Sequence, residues 1–146
     1  MATAAKTPPK TAAKPAPEVT GYNTEIKLFA SRYKQGGRTV YGLDLSPDQI
    51  ISIIDAPDPS ATTPGNRKIR VAHAQGFARY FREHQTWVVP GMILRTAAAF
   101  DFELLYEVEG TEFGVITMAR SALKDLHILD GQHRILGFHL ANRTIA

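Results

Sequence analysis

The sequence predicts an α+β fold in which helices pack on a mixed sheet. Alternating apolar and polar runs bounded by glycine turns predict strands. Apolar residues at helical spacing predict helices, and a strand runs directly into a helix at residues 126–141. The chain has 146 residues, 44% of them hydrophobic, which suits one domain with a buried core. Its formal net charge of +3 is too small to identify a partner by itself.

Composition excludes several classes of protein. The chain has no cysteine, which excludes disulfides and thiolate metal sites. It has no run of about 18 apolar residues, so we expect no membrane span and a cytoplasmic protein. Residues 1–17 are almost only Ala, Lys, Pro and Thr. We therefore expect residues 1–18 to form a disordered basic tail, which either solubilises the chain or contacts nucleic acid non-specifically, and residues 19–146 to form the folded domain.

The sequence of the first part of this domain predicts a hairpin followed by a helix. YNTEIKLFASRY (22–33) and RTVYGLDL (38–45) alternate as strands do, with the turn signal Gly36-Gly37 between them. A helix is expected after Ser46, a good N-cap, with Pro47 at the first helical position. Its predicted buried stripe is Ile50, Ile53 and Ile54.

The remaining elements follow from the same signals. Residues 66–85 are predicted to be helical over most of their length, and residues 88–95 to form an edge strand because Pro90 cannot donate to a ladder. Two strands flank Gly110 in a hairpin, and LHILD (126–130) leads into a final helix. No stop signal follows Asn142, so we expect either a truncated domain or a chain that continues in a longer protein.

Positive charge is concentrated in one segment. Residues 65–95 carry six basic residues against Glu83 alone, and six positive charges against one negative give +5, more than the whole chain. A solvated helix face explains this pattern as readily as a surface that contacts phosphates. The six are Arg67, Lys68, Arg70, Arg79, Arg82 and Arg95.

The junction between the last strand and the last helix carries five polar or small residues in a row, Asp130-Gly131-Gln132-His133-Arg134. A helix N-terminus presents unpaired N–H groups and binds phosphate readily. Asp130 can cap the helix, Gly131 permits close approach, His133 titrates near neutrality, and Arg134 suits bidentate contact with a phosphate. From residue chemistry the junction is an anion-binding site with an acid–base group, or a capped turn whose polar residues face water.

This pentapeptide, DGQHR, with an apolar strand before it and Gly137 after it, resembles the signature of the DGQHR-domain family. That family includes DndB-type proteins associated with DNA phosphorothioation, and its core is similar to the ParB/sulfiredoxin superfamily. The resemblance covers about residues 22–146. The upstream positions that correspond to the family's preceding element are Asn66, Arg67, His73, Phe77, Tyr80 and Pro90.

The resemblance implies a pocket for a phosphate-bearing ligand at the start of the final helix, formed by Asp130, Gly131, Gln132, His133 and Arg134. A nucleotide with Mg²⁺ is the cofactor that it suggests. Sulfiredoxin chemistry needs a cysteine in the motif, and this chain has none, so that redox reaction is excluded.

Three functions remain open from the sequence. The first is a DNA-associated binding or regulatory protein linked to DNA modification or defence. The second is a ParB-like nucleotide hydrolase or nuclease that uses Asp130 and His133, although no second carboxylate lies near them in sequence for a two-metal site. The third is a scaffold that binds other proteins. In the first, the residues expected to contact nucleic acid are Asn66, Arg67, Lys68 and Arg70.

Overall fold

The computed structural model describes residues 24–61 and 65–145, and the predicted basic tail, residues 1–18, lies outside them. The described residues form, in chain order, β1 (Glu25–Gln35), β2 (Arg38–Gly42), α1 (Pro47–Ile53), α2 (Val71–Glu83), β3 (Ile93–Arg95), β4 (Asp101–Val108), β5 (Thr111–Ala119), a 3₁₀ turn (Arg120–Asp125), β6 (His127–Asp130) and α3 (Gln132–Ile145). The predicted α+β class is confirmed. None of the helices in the described ranges has the length and apolar character needed to cross a bilayer.

The described strands pair antiparallel in two sheets, where the sequence predicted one mixed sheet. Four strands follow the order β2-β1-β5-β4, and β3 pairs with β6 separately. Both predicted hairpins are confirmed. Their two-residue turns have positive φ at both positions, 55° and 76° at Gly36-Gly37 and 49° and 85° at Glu109-Gly110, which matches the twist of antiparallel strands. Parallel pairing needs a crossover of a dozen or more residues, which these turns do not provide.

The four-stranded sheet curls around one of its faces. Ala30 of β1 lies opposite Gly114 of β5, and a Cβ atom at Gly114 would collide with the backbone carbonyl of Glu103 on β4 and lie 2.9 Å from the Phe102 ring of the same strand. Phe102 therefore occupies the space that these small residues leave. The guanidinium of Arg32 sits 4.1 Å from the centre of the Phe102 ring. Tyr41 on β2 reaches within 5.9 Å of the same ring, although two strands separate β2 from β4.

Small residues bring α2 and α3 into close contact. A Cβ atom at Gly137 would lie 2.8 Å from Phe77 Cβ and 3.2 Å from the carbonyl oxygen of Ala74. Ala74 and Ala78 are buried on the facing side of α2. The N-terminal ends of the two helices lie together, because the Arg70 N–H donates to His133 Nε2 over 3.0 Å. The buried side chains that α3 contributes to the core are Ile135, Leu136, Phe138 and Ala141.

The first helix is formed as its sequence predicts. The Ser46 hydroxyl accepts from the Gln49 N–H at 3.2 Å, and the Gln49 side chain accepts from the Ser46 N–H at 2.9 Å, which completes a capping box. Ile54 is buried at the end of α1, whereas Ile50 and Ile53 are half-buried. The Ile54 carbonyl accepts from His139 Nε2 at 2.7 Å, so α1 is tied directly to α3.

Residues 66–85 are helical from Val71 to Glu83, which confirms the predicted helix over most of that length. The helix begins at Val71 because polar groups of residues 66–70 bond to the β6–α3 junction and not to a helix of their own. The predicted strand that follows is shorter in the structure. Residues 88–95 form a strand only at Ile93–Arg95. Pro90 lies ahead of that strand, as expected for a residue that has no N–H for a ladder.

The two helical glycines provide a matched test of the α2–α3 contact. We expect Gly137→Ala to destabilise the fold by about 1–2 kcal/mol, because overpacking outweighs the gain in helix propensity. Gly76→Ala should stabilise it by about 0.5–1 kcal/mol, because a Cβ there meets no atom within 4 Å. Urea unfolding of both variants measures the difference. Equal stabilisation by the two substitutions would contradict the close contact.

Candidate functional site

The DGQHR residues lie where β6 ends and α3 begins. Gly131 has φ of 95° and is buried, and a Cβ atom on it would lie 2.8 Å from Met92 Cγ. Only glycine meets both constraints without strain. Its carbonyl accepts the Ile135 N–H at 3.0 Å, the first hydrogen bond of the helix. The N-cap position therefore belongs to Gly131, and the prediction that Asp130 caps α3 is wrong.

Residues 66–70, here called the basic loop, bind directly to this junction. The Asn66 side-chain amide donates to the Ile128 carbonyl at 2.6 Å, and the Gln132 amide donates to the Arg67 carbonyl at 2.6 Å. The backbone N–H of Arg70 donates to His133 Nε2. The structure thus brings together the two groups of residues that the sequence singled out separately, the DGQHR residues and the upstream basic residues.

Arg134 is engaged with the protein itself. Its Nη1 donates to the carbonyls of Pro90 and Gly91, at 3.0 and 3.3 Å, and its Nη2 lies 3.3 Å from Asp130 Oδ2. The Arg134 side chain is 13% exposed, against 64% for Asp130. The guanidinium therefore holds the loop that precedes β3 against the start of α3. Its predicted contact with a ligand phosphate stays a prediction.

The surroundings of His133 favour the neutral form of its imidazole. Because Nε2 accepts the Arg70 N–H, the proton of the neutral ring lies on Nδ1. Burial lowers the pKa of His133, and the nearby His73 and Arg70 lower it further. The His73 ring stands perpendicular to the His133 ring at a centroid distance of 4.9 Å. A role as general base would require Nε2 to release the hydrogen bond that it accepts.

The cations of the basic loop face solvent. Arg67, Lys68 and Arg70 are exposed, and no ion pair joins any of them to an acidic residue within the described ranges. Helix α2, which follows directly, has no acidic residue in its first turn and no side chain bonded at its N-cap. Its positive end therefore adds to their charge. This arrangement suits an anionic partner.

Metal binding has less support from the geometry. Across residues 24–61 and 65–145, no group of three or more His, Asp or Glu side chains is arranged to hold a metal ion. Asp130, the carboxylate that the hydrolase or nuclease hypothesis uses, pairs with Arg134. The nucleotide with Mg²⁺ and the hydrolysis or cleavage through Asp130 and His133 stay predictions.

Gly91 and Met92 were not identified as site residues from the sequence, and Pro90 was identified only as a strand-edge residue and as a position that corresponds to the family's preceding element. The Pro90 and Gly91 carbonyls that fix Arg134 are backbone groups, and Met92 over Gly131 is an ordinary apolar residue. His73 was identified only as a position that corresponds to the family's preceding element, and the structure places its ring beside His133. A contact between residues sixty positions apart produces no recognisable spacing of residues in the sequence.

Fold and site together define a small α+β protein with a cationic loop mounted on a strand–helix junction. A family model described as DndB, DNA-sulfur modification-associated, matches residues 28–144. The match extends from β1 into α3, and the chain belongs to the DndB family, which associates it with DNA sulfur modification. Comparison with curated proteins and with solved structures finds no match. The family resemblance is confirmed, and the ParB/sulfiredoxin-like core stays a prediction.

Substitution of Arg134 should lower the free energy of unfolding more than substitution of Asp130. Arg134→Met removes two charge-assisted hydrogen bonds from a nearly buried group, and we expect a loss of about 2–3 kcal/mol of stability. Asp130→Asn should cost less than about 1 kcal/mol, because exposed ion pairs contribute little. Chemical denaturation measures the free energy of unfolding of both variants. Equal costs would show that the ion pair, and not the contact with the Pro90–Gly91 loop, is what Arg134 supplies.

His133 should make stability depend on pH. Its pKa is lower in the folded chain than the ordinary value of about 6.5, so the unfolded chain binds more protons between those values. Stability should therefore fall as the pH drops below about 6.5 and should not depend on His133 above it. His133→Gln keeps an acceptor but cannot titrate. Melting temperatures between about pH 8 and pH 5 should fall more steeply for the wild type than for this variant; parallel curves would refute the assignment.

Proposed function

We propose that this chain binds the sugar-phosphate backbone of DNA through Arg67, Lys68 and Arg70, as a binding or regulatory component of DNA sulfur modification. The observation that carries the proposal is the exposure of these three cations on a loop that the DGQHR residues hold in place. Membership of a family associated with DNA modification supports DNA as the polyanion.

The hydrogen bonds of the junction pre-position the cations. Gln132 fixes the Arg67 carbonyl and His133 fixes the Arg70 N–H, on either side of Lys68. A loop that is ordered before binding loses less conformational entropy when the ligand arrives. The DGQHR residues thus support binding indirectly, by setting the path of the loop backbone.

The side chains of the basic loop are better suited to contact phosphates than to recognise particular bases. The three side chains end in cationic donors only, which match phosphate oxygens, and they lie next to the positive end of α2. Phosphate contacts set the position of a protein on DNA without selecting a sequence. Selection of a sequence or a modified site would need further residues. Asn66 is not one of the contacting groups in this proposal, because its side-chain amide is bonded to Ile128.

The salt dependence of DNA binding tests this proposal. In a variant with Arg67→Gln, Lys68→Gln and Arg70→Gln, the slope of log affinity against log salt should become shallower by about 1 for each phosphate that the variant no longer neutralises. Fluorescence anisotropy of a labelled duplex measures the slope. A control variant with Lys27→Gln, Arg38→Gln and Lys124→Gln removes the same charge from exposed positions elsewhere.

Two results would refute the proposal. One is that the wild type shows no affinity for duplex DNA even at low salt. The other is that the control variant loses as much affinity and slope as the basic-loop variant, which would show that only total charge matters.

A further inference from the structure

The chain beyond the C-terminal end of α2 forms an open groove, here called the Trp87 groove, that the proposed phosphate contact does not use. Its volume is about 660 Å³, and it is shallow and largely open to solvent. Tyr80 and Val88 within it are 38% and 91% exposed. The lining residues are Tyr80, Gln85, Thr86, Trp87 and Val88.

The aromatic rings of the groove are held in place by neighbouring rings. The Trp87 indole lies 4.9 Å from Phe81 and 5.9 Å from Phe138, measured between centroids. Tyr80 lies 4.6 Å from the His84 ring. Trp87 is half-buried, so part of its indole stays open to solvent. Rings fixed in this way offer a stacking surface that costs little entropy to use.

The Trp87 groove lies on the same edge of α2 as the basic loop. Tyr80 follows His73 by seven residues, which brings the two within about 20° around the helix and about 11 Å along its axis. His73 in turn contacts His133 next to the basic loop. Phosphates of one DNA strand are spaced by about 3.4 Å along a duplex, so three to four steps cover this distance.

The chemistry of the lining matches a nucleobase. Tyr80 and Trp87 offer π surfaces, on which any base can stack. The Gln85 amide and the Thr86 hydroxyl can each donate and accept hydrogen bonds at a base edge. Arg79, exposed beside Tyr80, suits the neighbouring phosphate. An apolar peptide or lipid would make no use of these polar groups.

We propose that the Trp87 groove binds an unpaired nucleobase of a DNA strand whose phosphates contact Arg67, Lys68 and Arg70. This inference rests on the proposed backbone contact and adds a second point of attachment to it. The groove would thereby favour DNA in which a base is unstacked, such as a single-stranded region or a flipped nucleotide.

Trp87 is the only tryptophan of the chain, so intrinsic fluorescence reports on the groove directly. The full chain is titrated with a single strand of thymidine nucleotides and with an abasic strand of the same length and charge. We expect quenching of Trp87 fluorescence by the thymidine strand and none by the abasic strand. Anisotropy of labelled strands measures binding of both.

Tyr80→Leu should weaken binding of the thymidine strand by roughly tenfold, the effect of removing one base stack, and leave binding of the abasic strand unchanged. Tyr33→Leu is the matched control, because Tyr33 is 40% exposed on the four-stranded sheet, and it should change neither affinity. Gln85→Ala, in the exposed part of the groove, provides a second variant should Tyr80→Leu fail to fold.

The outcomes separate the two proposals. If both strands bind but neither quenches Trp87, or both quench it equally, the nucleobase site is refuted and the backbone contact stands. If neither strand binds at low salt, both proposals fail. Quenching by the thymidine strand alone, together with the selective loss of affinity in Tyr80→Leu, supports the nucleobase site.

Discussion

Three hydrogen bonds between the basic loop and the β6–α3 junction are the interaction on which the candidate site depends. They join residues 62 to 65 positions apart in the chain, and each uses a side chain to satisfy a backbone group. Because the partners are backbone groups, the bonds fix the course of the loop and leave its cationic side chains free to face outward. The DGQHR residues thus support the loop that carries the exposed cations.

Local signals predicted most of the fold. The hairpin turns, the capping box at Ser46 and the helix after DGQHR all depend on residues a few positions apart, and sequence shows such relations directly. The division into two sheets depends on which distant strands pair, as in the pairing of β1 with β5. The start of α2 at Val71 depends on hydrogen bonds to a segment sixty residues later. Neither relation leaves a periodic pattern.

The sequence indicated which residues lie at the candidate site more fully than it indicated what each residue does there. Both groups of residues were identified from the sequence, and the structure places them side by side. The expected role of Arg134 followed from the chemistry of its side chain. The guanidinium group that can bind a phosphate can equally bind two carbonyls and a carboxylate, as it does here. Residue type shows what a side chain can bond; only its surroundings show whether it points into the protein or toward a ligand.

The glycine contact between α2 and α3 has an electrostatic consequence. Each helix carries about half a positive charge at its N-terminus, and these two termini lie side by side. Like poles at this distance repel each other, so packing at Gly137 must outweigh the repulsion. An anion placed between the two ends would act as their shared counterion. The closeness that Gly137 permits therefore sets the local potential at the basic loop as well as the packing of the core.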